Sequence, residues 1–201
     1  MRAIFLILIS SLALNSNAQG SINLTSNGVT ISYTLPEFKK FCDSVSQISV
    51  DTLQNRFIRC LNLYRASKSL PLVVFDVNAY NASKFITEYN LESVNGKKLT
   101  HTTNINGYQE LKDRRVKFNI DTKYTKSILC ENLATSSDFF AFFFFKSQKL
   151  TYEQFLLKIW KESPGHNANL IRPDSRYIGF NIIFKTKSEY LRKCVMSSVM
   201  Y

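Results

Sequence analysis

Apolar residues recur along this chain at helical steps in its first two thirds and in short strand-like runs near its end. Phe38, Phe41 and Val45 fall at three- and four-residue steps behind Pro36, which predicts a short helix. Leu53, Phe57, Leu61 and Tyr64 repeat the pattern with Asp51 as the cap, and Ser69 and Pro71 end it. Another helix is expected from near Asp76, with Ala79, Ser83 and Ile86 on one side and small residues allowing close approach. Asn95-Gly96 marks a turn, and a third helix of this group is predicted over 108–118. Residues 127–134 read as a strand. Thr151 opens a helix carrying Phe155, Leu156 and Ile159, which Ser163-Pro164-Gly165-His166 interrupts before a short helix through Leu170. Two strands over 176–186 and 190–200, joined through Lys187-Ser188-Glu189, close the chain as a hairpin. Helices first and a hairpin last predict an α+β fold, with helices packed on a small, mainly antiparallel sheet.

The N-terminus changes the compartment. Arg2, the apolar stretch from Ala3 to Leu14, then Ser16 and Ala18 follow the order of a secretory leader: positive end, apolar core, small residues at the cleavage point. The apolar core is shorter than the roughly 20 residues a membrane-spanning helix needs. The expected organisation is a signal peptide over 1–18, an N-terminal extension with a short helix over 19–50, and one domain over 51–201. Residues 19–35, rich in Ser, Asn and Thr with an Asn27-Gly28 turn, read as a loose leader or an edge hairpin. The destination is secreted, periplasmic or extracellular. Four cysteines in an exported chain, Cys42, Cys60, Cys130 and Cys194, favour two disulfides. Cys130 and Cys194 both lie in strand-like stretches and would bridge neighbouring strands, leaving Cys42 with Cys60, although spacing alone fixes no pairing. Without a CxxC pair, a zinc knuckle or thioredoxin-type site is disfavoured.

The formal net charge of +11 suits an anionic partner: a phospholipid surface or another component of the cell envelope. No nucleic-acid motif accompanies it, so nucleic acid is disfavoured. The densest basic stretch, Lys112, Arg114, Arg115 and Lys117, reads as a solvated surface. The run from Phe139 to Phe145 is read either as an element covering a core face or as an aromatic lip for an apolar ligand. The sequons at Asn23 and Asn81 would accept glycans only on a eukaryotic secretory path.

Known catalytic motifs are absent: there is no G-x-S-x-G elbow, no H-E-x-x-H and no glycine-rich phosphate loop. Candidate chemistry then falls to His101, Glu131, Ser163 and His166. Two imidazoles and a carboxylate can hold a divalent cation or shuttle protons. Glu131 is the most informative, because a carboxylate inside an apolar strand demands a partner.

In their order along the chain these segments resemble the CAP superfamily, also called the SCP domain. Asn62-Leu63-Tyr64-Arg65 looks like the family's N-x-x-R, and Leu70-Pro71-Leu72 and Thr100-His101 follow in the expected order. Asp113-Arg114-Arg115 resembles a bacterial D/E-R step, and Glu131-Asn132-Leu133-Ala134 the E-N-(I/L)-A strand. Trp160 with Ser163-Pro164-Gly165-His166-Asn167-Ala168-Asn169-Leu170 resembles the bacterial W-x-x-S-P-G-H-R-x-N-(I/L) signature, and Ile178-Gly179 the I-G before the final strands. The resemblance implies a three-layer α-β-α sandwich whose cleft is lined by His101, Glu131, Ser163 and His166, in a protein of bacterial source. Eukaryotic members carry a second cleft glutamate where this chain has Ser163. Glu162 is one residue earlier, about 100° around a helix, and is expected to point away. Asn167 stands where the bacterial signature has arginine.

Two functions follow as expectations. The first is a binding module for a divalent cation such as zinc, a lipid or a peptide, with His101 and His166 as metal ligands and Glu131 ligating or orienting a ring. The second is a protease-like hydrolase using Ser163 in the same cleft. The bland reading of Ser163 is a helix cap, and that of the trio a structural hydrogen-bond network.

Overall fold

The computed structural model describes residues 15–16, 21–26, 28–92, 98–120, 129–188 and 191–201. The leader expected over 1–18 falls outside these residues except for Asn15–Ser16, and the Asn95-Gly96 turn lies outside them too. Among the described residues no helix is long and apolar enough to cross a membrane.

Three short strands come first: β1 (Asn15–Ser16), β2 (Ser21–Ser26) and β3 (Val29–Thr34), paired antiparallel in that order. Residues 19–35 therefore contain a hairpin rather than a loose leader. Thr34 caps α1 (Leu35–Ser46) in a capping box: its hydroxyl accepts from Glu37 N at 3.3 Å, and Glu37 accepts from Thr34 N at 2.7 Å. Next is α2 (Val50–Ala66), capped by Ser49 two residues before the expected Asp51; of its expected apolar face Leu53, Phe57 and Leu61 are buried and Tyr64 is half-buried.

A two-residue strand β4 (Val74–Phe75), which periodicity did not reveal, leads into α3 (Val77–Tyr89), where Asp76 accepts from Ala79 N at 2.7 Å as the cap. Helix α4 (Leu111–Lys117) is shorter than the expected 108–118. Strand β5 (Cys130–Ser137) is followed by α5 (Asp138–Gln148), α6 (Tyr152–Lys161), α7 (Pro164–Leu170), β6 (Tyr177–Ser188) and β7 (Leu191–Met200).

The four-stranded sheet has the order β4-β6-β7-β5, antiparallel except for β4 beside β6. Its two faces follow from the two-residue side-chain period. Cys194, Met196 and Met200 of β7, with Ile178, Phe180 and Ile182 of β6, face α2 and α6. There Phe57 stacks on Phe180 at 4.1 Å, and Trp160 meets both rings edge-on. Each of these fully buried aromatic side chains contributes roughly 2–3 kcal/mol of burial.

Val195 and Val199 point the other way, toward Ile86, Ala79 and Ala82 of α3. That helix lies so close that a Cβ at Gly179 would sit 2.0 Å from Tyr80 N, and Ser83 Oγ donates to Ser197 O at 2.8 Å. The result is a three-layer α-β-α sandwich with a small, mainly antiparallel central sheet.

The phenylalanine run forms α5, with Phe142 and Phe143 buried and only Phe145 well exposed. It is a wedge, not a lip. Phe140 and Phe144 join the main core, while Phe142 and Phe143 pack against Ile31, Tyr33, Phe38 and Cys42 of the N-terminal extension. Glu37 and Lys146 pair across this seam at 3.0 Å.

None of the four cysteines is in a disulfide in this structure, against the expected two. Strands β5 and β7 are indeed neighbours, but Cys130 lies opposite Met200, while Cys194 lies opposite Ser136. Six residues of ladder separate the two cysteines, about 20 Å at strand rise, far beyond the reach of a disulfide. Burial pushes the Cys42 and Cys130 thiols up to about 11 and Cys194 up to about 12.

Candidate functional site

Three segments converge at the β5 edge of the sheet. Cys130 and Ala134 of β5 face the α2–α6 core, and Leu133 faces α3. Glu131 shares the Leu133 face by the two-residue period and so points toward the α4 side. There it meets two partners. Its Oε2 accepts from Arg114 Nη2 at 2.8 Å, and its Oε1 lies 2.8 Å from His101 Nδ1. The Arg114 and Glu131 side chains are 0% and 2% exposed, whereas His101 is 54% exposed. The carboxylate is thus buried, paired on one side, and turned on the other toward a ring that reaches solvent.

Arg114 also donates to the backbone. Its Nη1 and Nη2 each lie 3.2 Å from His101 O, and Nη1 lies 3.3 Å from Tyr108 O. The basic stretch was expected to be a solvated surface. Lys112, Arg115 and Lys117 are exposed, but the turn of α4 carries Arg114 inward as the one buried residue of that helix. The signal that could have found it was Glu131 itself, which needed a cation.

The second histidine comes from α7. Asn132, on the opposite face of β5 from Glu131, donates to His166 O at 3.2 Å. Asn169 donates to Glu131 O at 3.3 Å and to Asn132 Oδ1 at 2.9 Å. These side-chain bonds fasten α7 to the edge strand. Burial holds the His166 ring below the usual histidine range, and His101 adds to the effect, since two nearby imidazolium charges repel. Burial thus favours the neutral form of the His166 ring.

Ser163 occupies the N-cap position of α7, but its side chain makes no cap bond. Among the described residues no hydrogen bond joins it to either histidine. Glu162 pairs with Lys158 and lines a cavity of about 590 Å³ between α2 and α6, which also contains Tyr64 and Lys161 but neither histidine. Asn167 accepts from Tyr64 OH at 3.0 Å, linking α7 to α2.

Arg65, from the N-x-x-R segment, is completely buried and among the described residues donates only to carbonyls: Pro71, Leu170, Arg172 and Ser175. It fastens the loops around α7 to α2 and takes no part in the cleft.

No group of three His, Cys, Asp or Glu side chains among the described residues forms a metal-ligand set. Both Glu131 oxygens have protein partners here, Oε1 facing His101 and Oε2 accepting from Arg114.

The chain is similar in structure to an outer surface protein from Borrelia burgdorferi, with 16% identity and a TM-score of 0.50 over 76% of this chain and 95% of that one. It also aligns with an extracellular protein containing a SCP domain from Bacillus anthracis, with 15% identity and a TM-score of 0.48 over 84% of this chain and 45% of the other. A cysteine-rich secretory protein from Staphylococcus aureus aligns with 9% identity and a TM-score of 0.45 over 88% and 54% of the two chains. Among curated proteins no relative matches the sequence. The sequence profile of the cysteine-rich secretory protein family matches residues 58–201, which include α3, α4, β5, α7 and the closing hairpin. The chain belongs to the CAP family, the cysteine-rich secretory protein family.

Proposed function

We propose that this is an exported CAP-domain binding module whose His101–His166 cleft takes a divalent cation such as zinc at modest affinity. The observation that carries the reading is the Arg114–Glu131–His101 arrangement, which spends a buried ion pair on orienting one solvent-facing imidazole. The donor set fits a cation in kind. Burial favours the neutral form of His166, and a carboxylate accepting from Nδ1 leaves the Nε2 lone pair of a neutral His101 free. Two side-chain donors leave positions for water or for an oxygen of a ligand, which is why the expected affinity is modest. A bound cation would supply a positive, Lewis-acidic contact for an anionic group, in keeping with the net charge of +11. Export is supported by the leader pattern of the first 18 residues and by membership in a secretory family.

The hydrolase alternative has less to stand on. A serine nucleophile needs a base within hydrogen-bond reach, and Ser163 makes no bond to His101 or His166. Calorimetric titration of zinc into the wild type, Ser163→Ala and His101→Gln separates the two. The binding reading requires Ser163→Ala to bind as the wild type does and His101→Gln to lose the heat. Ester or peptide turnover that disappears in Ser163→Ala would support the hydrolase instead.

A further inference from the structure

We propose that Arg114 is a positioning residue for the cleft: one buried guanidinium fixes both the tautomer of His101 and the place of the segment that carries it. The proposal rests on the reading of His101 as the exposed donor of the cleft. Arg114 reaches three acceptors, two of which bear on that one ring. Nη2 holds Glu131 Oε2, whose partner oxygen Oε1 faces His101 Nδ1, while Nη1 and Nη2 both hold the His101 carbonyl, and Nη1 also holds that of Tyr108. The ring is thus set from its side-chain end through Glu131 and from its backbone end directly. Charge neutralisation alone would ask for less, because a single ammonium could balance Glu131. Only a planar fork of N–H groups reaches the carboxylate and the two carbonyls together.

The consequence is chemical. A neutral imidazole has two tautomers, and which nitrogen carries the proton is set by the bond the other one makes. A carboxylate accepts only, so Nδ1 must donate to Oε1, and Nε2 is left as the free lone pair. By holding Oε2, Arg114 keeps Oε1 turned to Nδ1. Without the fork, the carboxylate is free to rotate and the ring to exchange tautomers.

The test is Arg114→Lys in the intact chain, read by ring ¹⁵N chemical shifts of His101 at a pH where the ring is neutral, and by zinc titration. The wild type is expected to show one tautomer, protonated at Nδ1. Arg114→Lys is expected to show averaged shifts and a zinc affinity lower by about 10- to 100-fold, the usual loss when the support of a ligand is removed. The shifts of His166 should stay in place. A purely structural Arg114 would lower the melting temperature and leave the His101 tautomer unchanged, and that result overturns the proposal, as does a wild type protonated at Nε2. If the wild type binds no zinc but the tautomer change appears, the cation reading fails and the positioning role stands. If Arg114→Lys does not fold, the wild type decides. Arg114 Nη protons must then show through-space contacts to His101, and a guanidinium in free exchange with water overturns the assignment.

Discussion

Removing Arg114 alone should cost far more than removing Arg114 and Glu131 together. The two side chains are 0% and 2% exposed, so in Arg114→Met the Glu131 carboxylate keeps only His101 as a partner. Breaking a buried pair from one side costs about 3–5 kcal/mol, because the remaining charge stays desolvated. Glu131→Leu should be milder, since the guanidinium keeps its bonds to the carbonyls of His101 and Tyr108. In the double variant Arg114→Met/Glu131→Leu no charge remains to be desolvated, and apolar replacements of similar volume are often close to neutral. The expected coupling is about 3 kcal/mol. Urea unfolding of the four chains at pH 7.5 gives the cycle directly, provided the denaturant slope stays constant. In thermal scans a domain of this size moves about 2–4 °C per kcal/mol, so Arg114→Met should melt about 6–20 °C lower. A single variant costing less than about 1 kcal/mol, or two singles that simply add, would show that the charges are not buried against each other.

Gly179→Ala should destabilise by about 3 kcal/mol or more in the same assay, because its Cβ would meet the Ala79–Tyr80 backbone at 2.0–2.1 Å and neither element can yield cheaply; a neutral result would mean that α3 is not seated on β6. His166 has a folded-state pKa below its ordinary value, so below about pH 6.5 the unfolded chain binds the extra proton first, and stability is lost as pH falls from there toward the folded value. His166→Gln should flatten the change in melting temperature between pH 7.5 and 5, and an unchanged slope would contradict the burial of the ring. Thiol titration should count four thiols in the unfolded chain without reductant and in the native chain label the half-buried Cys60 first; burial raises that thiol too, but pushes the other three further, to about 11 or 12. An intact mass that rises on reduction would restore the disulfides.

The elements were legible where periodicity and caps agreed. Asp76 with Ala79, Ser83 and Ile86 located α3 and its buried face, and Thr151 with Phe155 and Leu156 located α6. Strand β4 was not legible, because two exposed residues leave no period to read, and what holds them is the bonding of Val74 N to Arg176 O and of the following Asp76 N to Ile178 O. The Cys130–Cys194 bridge failed on register. Neighbouring strands are legible from sequence, but the six-residue offset between Cys130 and Cys194 depends on how β5 aligns with β7. In the site, Glu131 announced itself as a carboxylate in an apolar strand, and His101 and His166 stood out as the only histidines. Arg114 did not, because Lys112, Arg115 and Lys117 around it are solvated, and only the turn of α4 toward Glu131 sets it apart.

Central to the account is a cleft in which His101 and His166 act together on a cation, and one measurement reaches it directly. Melting temperatures are taken with and without zinc at pH 7.5 and pH 5, for the wild type and for His101→Gln/His166→Gln. A cation bound only by the folded state through neutral rings must raise the melting temperature at pH 7.5 and do little at pH 5. The double variant must keep its fold and lose the shift. An equal zinc shift in the double variant, or none in the wild type at pH 7.5, would contradict the account.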